Sequence, residues 1–108
     1  MGQWTVEILD DEVRAALEAL PDDIQAGFLR VSRLIESVGL AKVREPYVKH
    51  LEGKLWEMRM KGKDGIARAV YVTARERRVV VVHVFVKKTE KTPRREIEIA
   101  QRKAEEVR

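Results

Sequence analysis

The chain opens on an alternation. Trp4, Val6 and Ile8 point one way and Thr5 and Glu7 the other, which predicts a short strand with one buried side. Asp10 and Asp11 then offer a helix N-cap. Val13, Ala16, Leu17 and Leu20 recur at helical spacing behind them. Pro21 ends that helix and suits the first turn of another. Asp22 and Asp23 favour the positive end of this second helix, and Ile24, Phe28, Val31, Leu34, Ile35 and Val38 form its apolar stripe. Gly39 is a left-handed stop. Residues 10–38 therefore read as two helices, the first of them short.

Helical spacing ceases beyond Gly39. The segment LAKVREPYVKHLEG reads as a loop or irregular extended stretch, broken by Pro46 and Gly53. Trp56, Met58 and Met60 then alternate with Glu57, Arg59 and Lys61, as in a strand with one wet, charged face. GKDG is a turn between strands, and IARAVYVT is the next strand, with Arg68 as the one charge in an apolar run. RERR turns again. VVVVHVFVK is apolar on both faces, as a central strand covered on both sides requires. Thr92 and Pro93 open a last helix, with Thr92 as cap and Pro93 in the first position. Ile97, Ala100, Ala104 and Val107 are its apolar stripe. The order is β-α-α-β-β-β-α. This predicts an α+β fold in which two N-terminal helices and one C-terminal helix pack on an antiparallel sheet, in a single domain over residues 1–108.

Composition narrows the partners. With 44% hydrophobic and 37% charged residues the chain is of the soluble globular class. Its longest apolar run, 79–86 interrupted by His83, is too short to cross a bilayer, and no secretory leader pattern is present. The absence of cysteine excludes disulfides and thiolate chemistry, so a cytoplasmic location is expected. The net charge of +4 conceals an asymmetry. Residues 1–40 hold three basic and eight acidic side chains, whereas residues 41–95 hold sixteen basic and six acidic ones. A middle segment this basic points to a polyanionic partner, most simply nucleic acid, against the plainer possibility of a solvated charged face.

Several familiar chemistries are missing. KGKDG lacks the upstream glycine and the Ser or Thr of a phosphate-binding loop. His50 and His83 are the only histidines and have no cysteine beside them, so no metal site and no cofactor are expected. The remaining candidates are cations. Arg59 and Lys61 share one face of a strand, Arg68 lies across a tight turn, and Lys87 and Lys88 close the third strand. If those strands are neighbours, the groups converge. Clustered cations lower the pKa of a lysine among them, because each positive neighbour disfavours its protonated form. Such a lysine could take the proton of a ribose 2′-hydroxyl while arginines hold the phosphate. Glu57 suits an orienting partner for Arg59 or Arg68. Trp56, Phe85 and His83 read as core.

Three motifs then carry a resemblance: L-x-G-K-L-W-E-x-R, next G-x-x-R-x-x-Y, and last F-V-K-K-T-x-K-T-P running into E-I-x-x-A. The chain resembles the RelE-like toxins of type II toxin–antitoxin systems, and is most similar to their phage-derived, HigB-type branch. The resemblance spans nearly the whole chain, and the family's fold has the same element order.

It implies a ribosome-associated mRNA endonuclease (an mRNA interferase) and a cognate antitoxin, often a helix-turn-helix DNA-binding protein. On the family's pattern Arg59, Lys61, Arg68 and Lys87 fall at the basic catalytic positions, with His50 a loose additional match. Lys54, Lys63, Lys88, Lys91, Arg94 and Arg95 are expected to hold RNA through its phosphates. No aromatic residue follows Phe85, where many relatives place a stacking group or general acid. Two other readings stay open: a gyrase-poisoning ParE-like relative on the same scaffold, and an RNA-binding module that cuts nothing.

Overall fold

The computed structural model describes residues 3–88 and 90–108. Strand β1 (Thr5–Ile8) leads into α1 (Asp11–Glu18) and α2 (Asp22–Val38). After a 3-10 turn at Leu40–Lys42 come β2 (Val48–Glu52), β3 (Leu55–Gly62), β4 (Gly65–Ala74) and β5 (Arg78–Lys87), and finally α3 (Arg94–Ala104). The Asp10 carboxylate caps α1, accepting from the Val13 N–H at 2.9 Å. Gly39 closes α2 at φ 90°, a backbone conformation that glycine adopts without a Cβ penalty.

The strands form one five-stranded sheet in the order β1-β5-β4-β3-β2. The three long strands β3, β4 and β5 are antiparallel neighbours, as the alternation and the two turns predict. Two features go beyond that expectation. β1 joins the edge parallel to β5, so the sheet is mixed. The stretch read as irregular contains the edge strand β2, paired antiparallel with β3. Of its residues only Val48 is fully buried, and the register shifts between His50 and Glu52, so period-two alternation has no room to show.

Both faces of the sheet are covered. α1 and α2 bury Val13, Leu17, Ile24, Phe28, Val31 and Ile35 against Met58, Met60, Ala67, Ala69, Tyr71, Val79 and Val81. α3 buries Ile97 and Ala100 against Val70, Val72, Val80, Val82 and Phe85 on the opposite face. This double coverage explains why β5 is apolar on both sides. Among the described residues no helix is long and apolar enough to cross a membrane.

The β3–β4 turn is fastened to the start of α2. The Lys63 N–H donates to Asp23 Oδ2 at 2.7 Å. A Cβ on Gly62 would sit 2.6 and 2.7 Å from the Asp23 carboxylate oxygens and 2.7 Å from Ile24 Cγ1, so only glycine lets the strand approach this closely. Gly62→Ala is therefore expected to cost about 1–3 kcal/mol of overpacking. Urea unfolding at neutral pH measures it, and an unchanged midpoint would show that the turn yields freely.

Candidate functional site

The sheet register decides which cations meet. Arg59 on β3 faces Arg68 on β4, which faces Phe85 on β5. One row toward the β3–β4 turn, Lys61 faces Ile66, which faces Lys87. On the other side of the arginine row, Glu57 faces Val70 on β4, with Lys49 of β2 opposite it. Directly opposed side chains have Cβ atoms about 4.5–5.5 Å apart. Arg59, Lys61, Arg68 and Lys87 therefore share the face that carries α3, on three adjacent strands.

At the centre of this face lies an ion pair with almost no access to water. Glu57 is 3% and Arg68 5% exposed. Arg68 Nε donates to Glu57 Oε1 at 3.2 Å, and its Nη1 donates to the Ala67 carbonyl at 3.3 Å. The second Glu57 oxygen accepts from the Thr92 hydroxyl at 3.0 Å. Thr92 is thus not the cap of α3: Pro93 occupies the cap position without a side-chain hydrogen bond, and the threonine hydroxyl is turned to the sheet instead. One carboxylate orients the guanidinium and ties down the entry to α3.

Cations outnumber this anion. Arg59 Nε is buried without a hydrogen-bond partner among the described residues. Burial is the largest influence on Arg68 and lowers its pKa; Glu57 opposes this and the charge of Arg59 adds to it. The group stays charged all the same, since an arginine starts so far above neutrality. Lys87, half-buried at the end of β5, is pushed below the ordinary lysine value first by burial. The charge of Arg68 pushes it the same way, with smaller contributions from Arg59 and Lys49, while Glu57 opposes them. Each positive neighbour favours the neutral amine, which is the form that can accept a proton.

The other sequence candidates are distributed more widely. Lys61 is exposed on the row of Lys87, and Lys63 is exposed in the adjoining turn. Lys88 and Arg95 are exposed near this end of the sheet and at the start of α3. Lys91 is exposed just before that helix and is engaged in an interaction of its own. Arg94 is occupied within the chain: Nη1 and Nη2 donate to the two Glu52 oxygens at 2.8 and 2.6 Å. Lys54 lies in the β2–β3 turn, at the opposite end of β3 from the cluster. His50 is on the other face of the sheet, with Nε2 2.8 Å from the Gly53 carbonyl oxygen.

His83 pairs with Glu96 of α3 at 2.7 Å and stacks on the buried Phe85, as a satisfied interior histidine should. Trp56 is the exception to the core reading. It is 39% exposed and meets His50 edge-on, with ring centroids 5.0 Å apart.

Two members of the site lie outside the sequence-based set. Lys49 enters through β2, whose strand character has no signal in the sequence. Thr92 is drawn in by a hydrogen bond across thirty-five residues.

A family model described as Phage derived protein Gp49-like (DUF891) matches residues 15–105. No curated protein matches the chain. Among solved structures it is similar to a chain of the archaeal RelE–RelB complex from Pyrococcus horikoshii OT3. The two are 24% identical, the match covers 78% of this chain and 94% of that one, and the TM-score is 0.57. At that identity the likeness is one of fold.

Proposed function

The chain belongs to the phage-derived Gp49-like family and has the RelE-like fold, and from that premise we propose that it is the toxin of a type II toxin–antitoxin system, a ribosome-associated endoribonuclease of the cytoplasm. The observation that carries this reading is the cluster of Arg59, Arg68 and Lys87 on one sheet face beside the buried Glu57, in which Lys87 is the lysine whose protonated form is disfavoured. Arg59 and Arg68 hold the scissile phosphate and stabilise the charge that develops on it. Lys87 takes the proton of the ribose 2′-hydroxyl. The 2′-oxygen bonds to phosphorus, the bond to the 5′-oxygen breaks, and the Lys61 ammonium on the same row protonates that leaving oxygen. The products are a 2′,3′-cyclic phosphate, which opens to a 3′-phosphate, and a 5′-hydroxyl. Side chains supply the positive charge in this scheme, without a metal ion.

Lys63, Lys88 and Arg95 extend the cationic surface along the RNA, and Lys91 stands beside them. Arg94 and Lys54 contribute less, the first because Glu52 holds it and the second because of its distance. The structurally similar chain comes from a RelE–RelB complex. By analogy the partner of this chain is an antitoxin, of the helix-turn-helix class on the sequence resemblance.

Controlled expression with mapping of mRNA 5′ ends tests the reading, with Arg59→Met alongside wild type. The exchange removes a cation with a buried, unpartnered nitrogen, so the fold is expected to tolerate it. Growth arrest with new cuts inside reading frames is expected, weakened about 10²–10³-fold in the variant. Arrest without cuts would instead favour the gyrase-directed activity, and neither arrest nor cuts would leave a module that binds RNA and does not cut it.

A further inference from the structure

The arginine row of the cationic face has an aromatic residue at each end, and the two ends differ. On β5 the row closes with Phe85, which packs into the buried cluster under α3. On the other side, the ladder between β2 and β3 runs one step past the pair of Val48 and Met58: the Arg59 N–H donates to the Tyr47 carbonyl at 2.8 Å. Val48 is buried in the core on the α1–α2 side, so alternation assigns Tyr47 to the opposite face, beside Arg59. The backbone of Tyr47 is held, because its own N–H donates to the Arg44 carbonyl at 2.9 Å. Its side chain is not: Tyr47 is 44% exposed. Trp4, Phe28, Trp56 and Tyr71 all belong to the α1–α2 face. Tyr47 is thus the open aromatic surface on the side of the cations.

We infer that Tyr47 is the platform on which a nucleobase stacks, that of the nucleotide immediately 3′ of the cut, an assignment that rests on the phosphate site proposed above. A phosphate held by Arg59 and Arg68 leaves the neighbouring bases to lie at one end of the arginine row or the other. The β5 end is closed, with Phe85 buried against α3, whereas the β2 end presents an exposed ring. Tyr47 is one strand from Arg59 and two from Arg68, about 10 Å by strand spacing. Every base has a π-face, so stacking on such a ring adds affinity without demanding one sequence. The two lysines decide which nucleotide is involved. Lys87 on β5 takes the 2′-proton of the nucleotide upstream of the cut, and Lys61 on β3 serves the 5′-oxygen of the one downstream. Tyr47 lies beyond β3, on the side of the leaving oxygen, so the base it meets is the downstream one.

The test compares the full wild-type chain with Tyr47→Ala and Tyr47→Phe. The exchanges alter an exposed side chain and leave the backbone bonds of the turn in place. Binding is measured first, with a six-nucleotide single-stranded RNA and an abasic oligomer of the same length and charge. Wild type and Tyr47→Phe are expected to bind the RNA about tenfold or more tightly than the abasic oligomer, and Tyr47→Ala to lose most of that difference. Equal binding of the two oligomers by wild type, no binding of either, a difference that survives in Tyr47→Ala, or a Tyr47→Phe that behaves as Tyr47→Ala would overturn the assignment. Cleavage on ribosomes is scored separately, with single abasic positions on either side of the mapped cut. Removing the downstream base should raise KM for wild type and leave Tyr47→Ala unchanged. A chain that cuts but whose KM ignores that base sinks the platform alone. A chain that binds bases through Tyr47 but cuts nothing sinks the nuclease reading alone.

Discussion

Lys87→Met is expected to lower mRNA cleavage by about two to four orders of magnitude while making the folded protein more stable at neutral pH. The two effects have one origin. Lys87 is held among Arg68, Arg59 and Lys49 and is partly shielded from water, so the fold disfavours its ammonium form. Its folded pKa lies below the unfolded value. The native state therefore binds fewer protons than the unfolded chain between those two values. Below the folded pKa the penalty on stability is complete; as pH rises to the ordinary lysine value of 10.5 it disappears. Methionine keeps the length of the side chain and removes the charge. Thermal melts should show the variant above wild type at pH 7, with the gap narrowing as the pH approaches the ordinary lysine range. Cleavage by the wild type should rise with pH and level off below that range, as the amine loses its proton. A variant that cuts normally would remove Lys87 from the reaction, and one that melts lower at pH 7 would contradict its electrostatic setting.

Glu57→Ala should have the largest effect on the fold. It strips Arg68 of its carboxylate and Thr92 of its acceptor, and leaves a guanidinium that is 5% exposed among like charges. Removing one partner of a buried ion pair costs about 3–5 kcal/mol. In a domain of this size each kcal/mol lowers Tm by about 4–8 °C. Urea and thermal unfolding of Glu57→Ala and of the double variant Glu57→Ala/Arg68→Met measure the loss. The double variant should recover much of it, because no uncompensated charge remains. Equal losses in the two would mean that packing, not the unpaired charge, sets the cost. The same logic bears on Arg68→Ala, which takes from Glu57 its ion-pair partner and leaves it the Thr92 hydroxyl. Lost cleavage in that variant speaks for the site only when the folded fraction is measured too, so Arg59 and Lys87 are the cleaner probes.

The part of the site carried by β3, β4 and β5 was legible in the sequence. Met58 and Met60 against Glu57, Arg59 and Lys61 separate an apolar from a charged face of β3, though Glu57 on the charged face is buried rather than wet, and two tight turns make its neighbours antiparallel. From that geometry Arg59, Lys61 and Arg68 share a face; Lys87 joins them only because the β4–β5 register shifts between Val70 and Tyr71, which the sequence does not announce. β2 was not legible, because an edge strand with one inward residue and a register shift produces no alternation. Lys49 was hidden with it. Thr92 has the chemistry of a helix cap and sits where a cap belongs; the pull of the buried Glu57 carboxylate is a tertiary effect that local pattern does not carry. Trp56 alternates with charged residues as a core position would, and its exposure follows only from where α2 stops.

The most direct measurement uses the purified chain and ribosomes programmed with one mRNA in two versions, identical except for a single 2′-deoxy nucleotide at the mapped cut. Attack by the 2′-oxygen predicts that the unmodified message is cut to a 2′,3′-cyclic phosphate and a 5′-hydroxyl, and that the deoxy position is spared. Cleavage at the deoxy position, or a 5′-phosphate on the downstream fragment, would contradict that chemistry and the role assigned to Lys87.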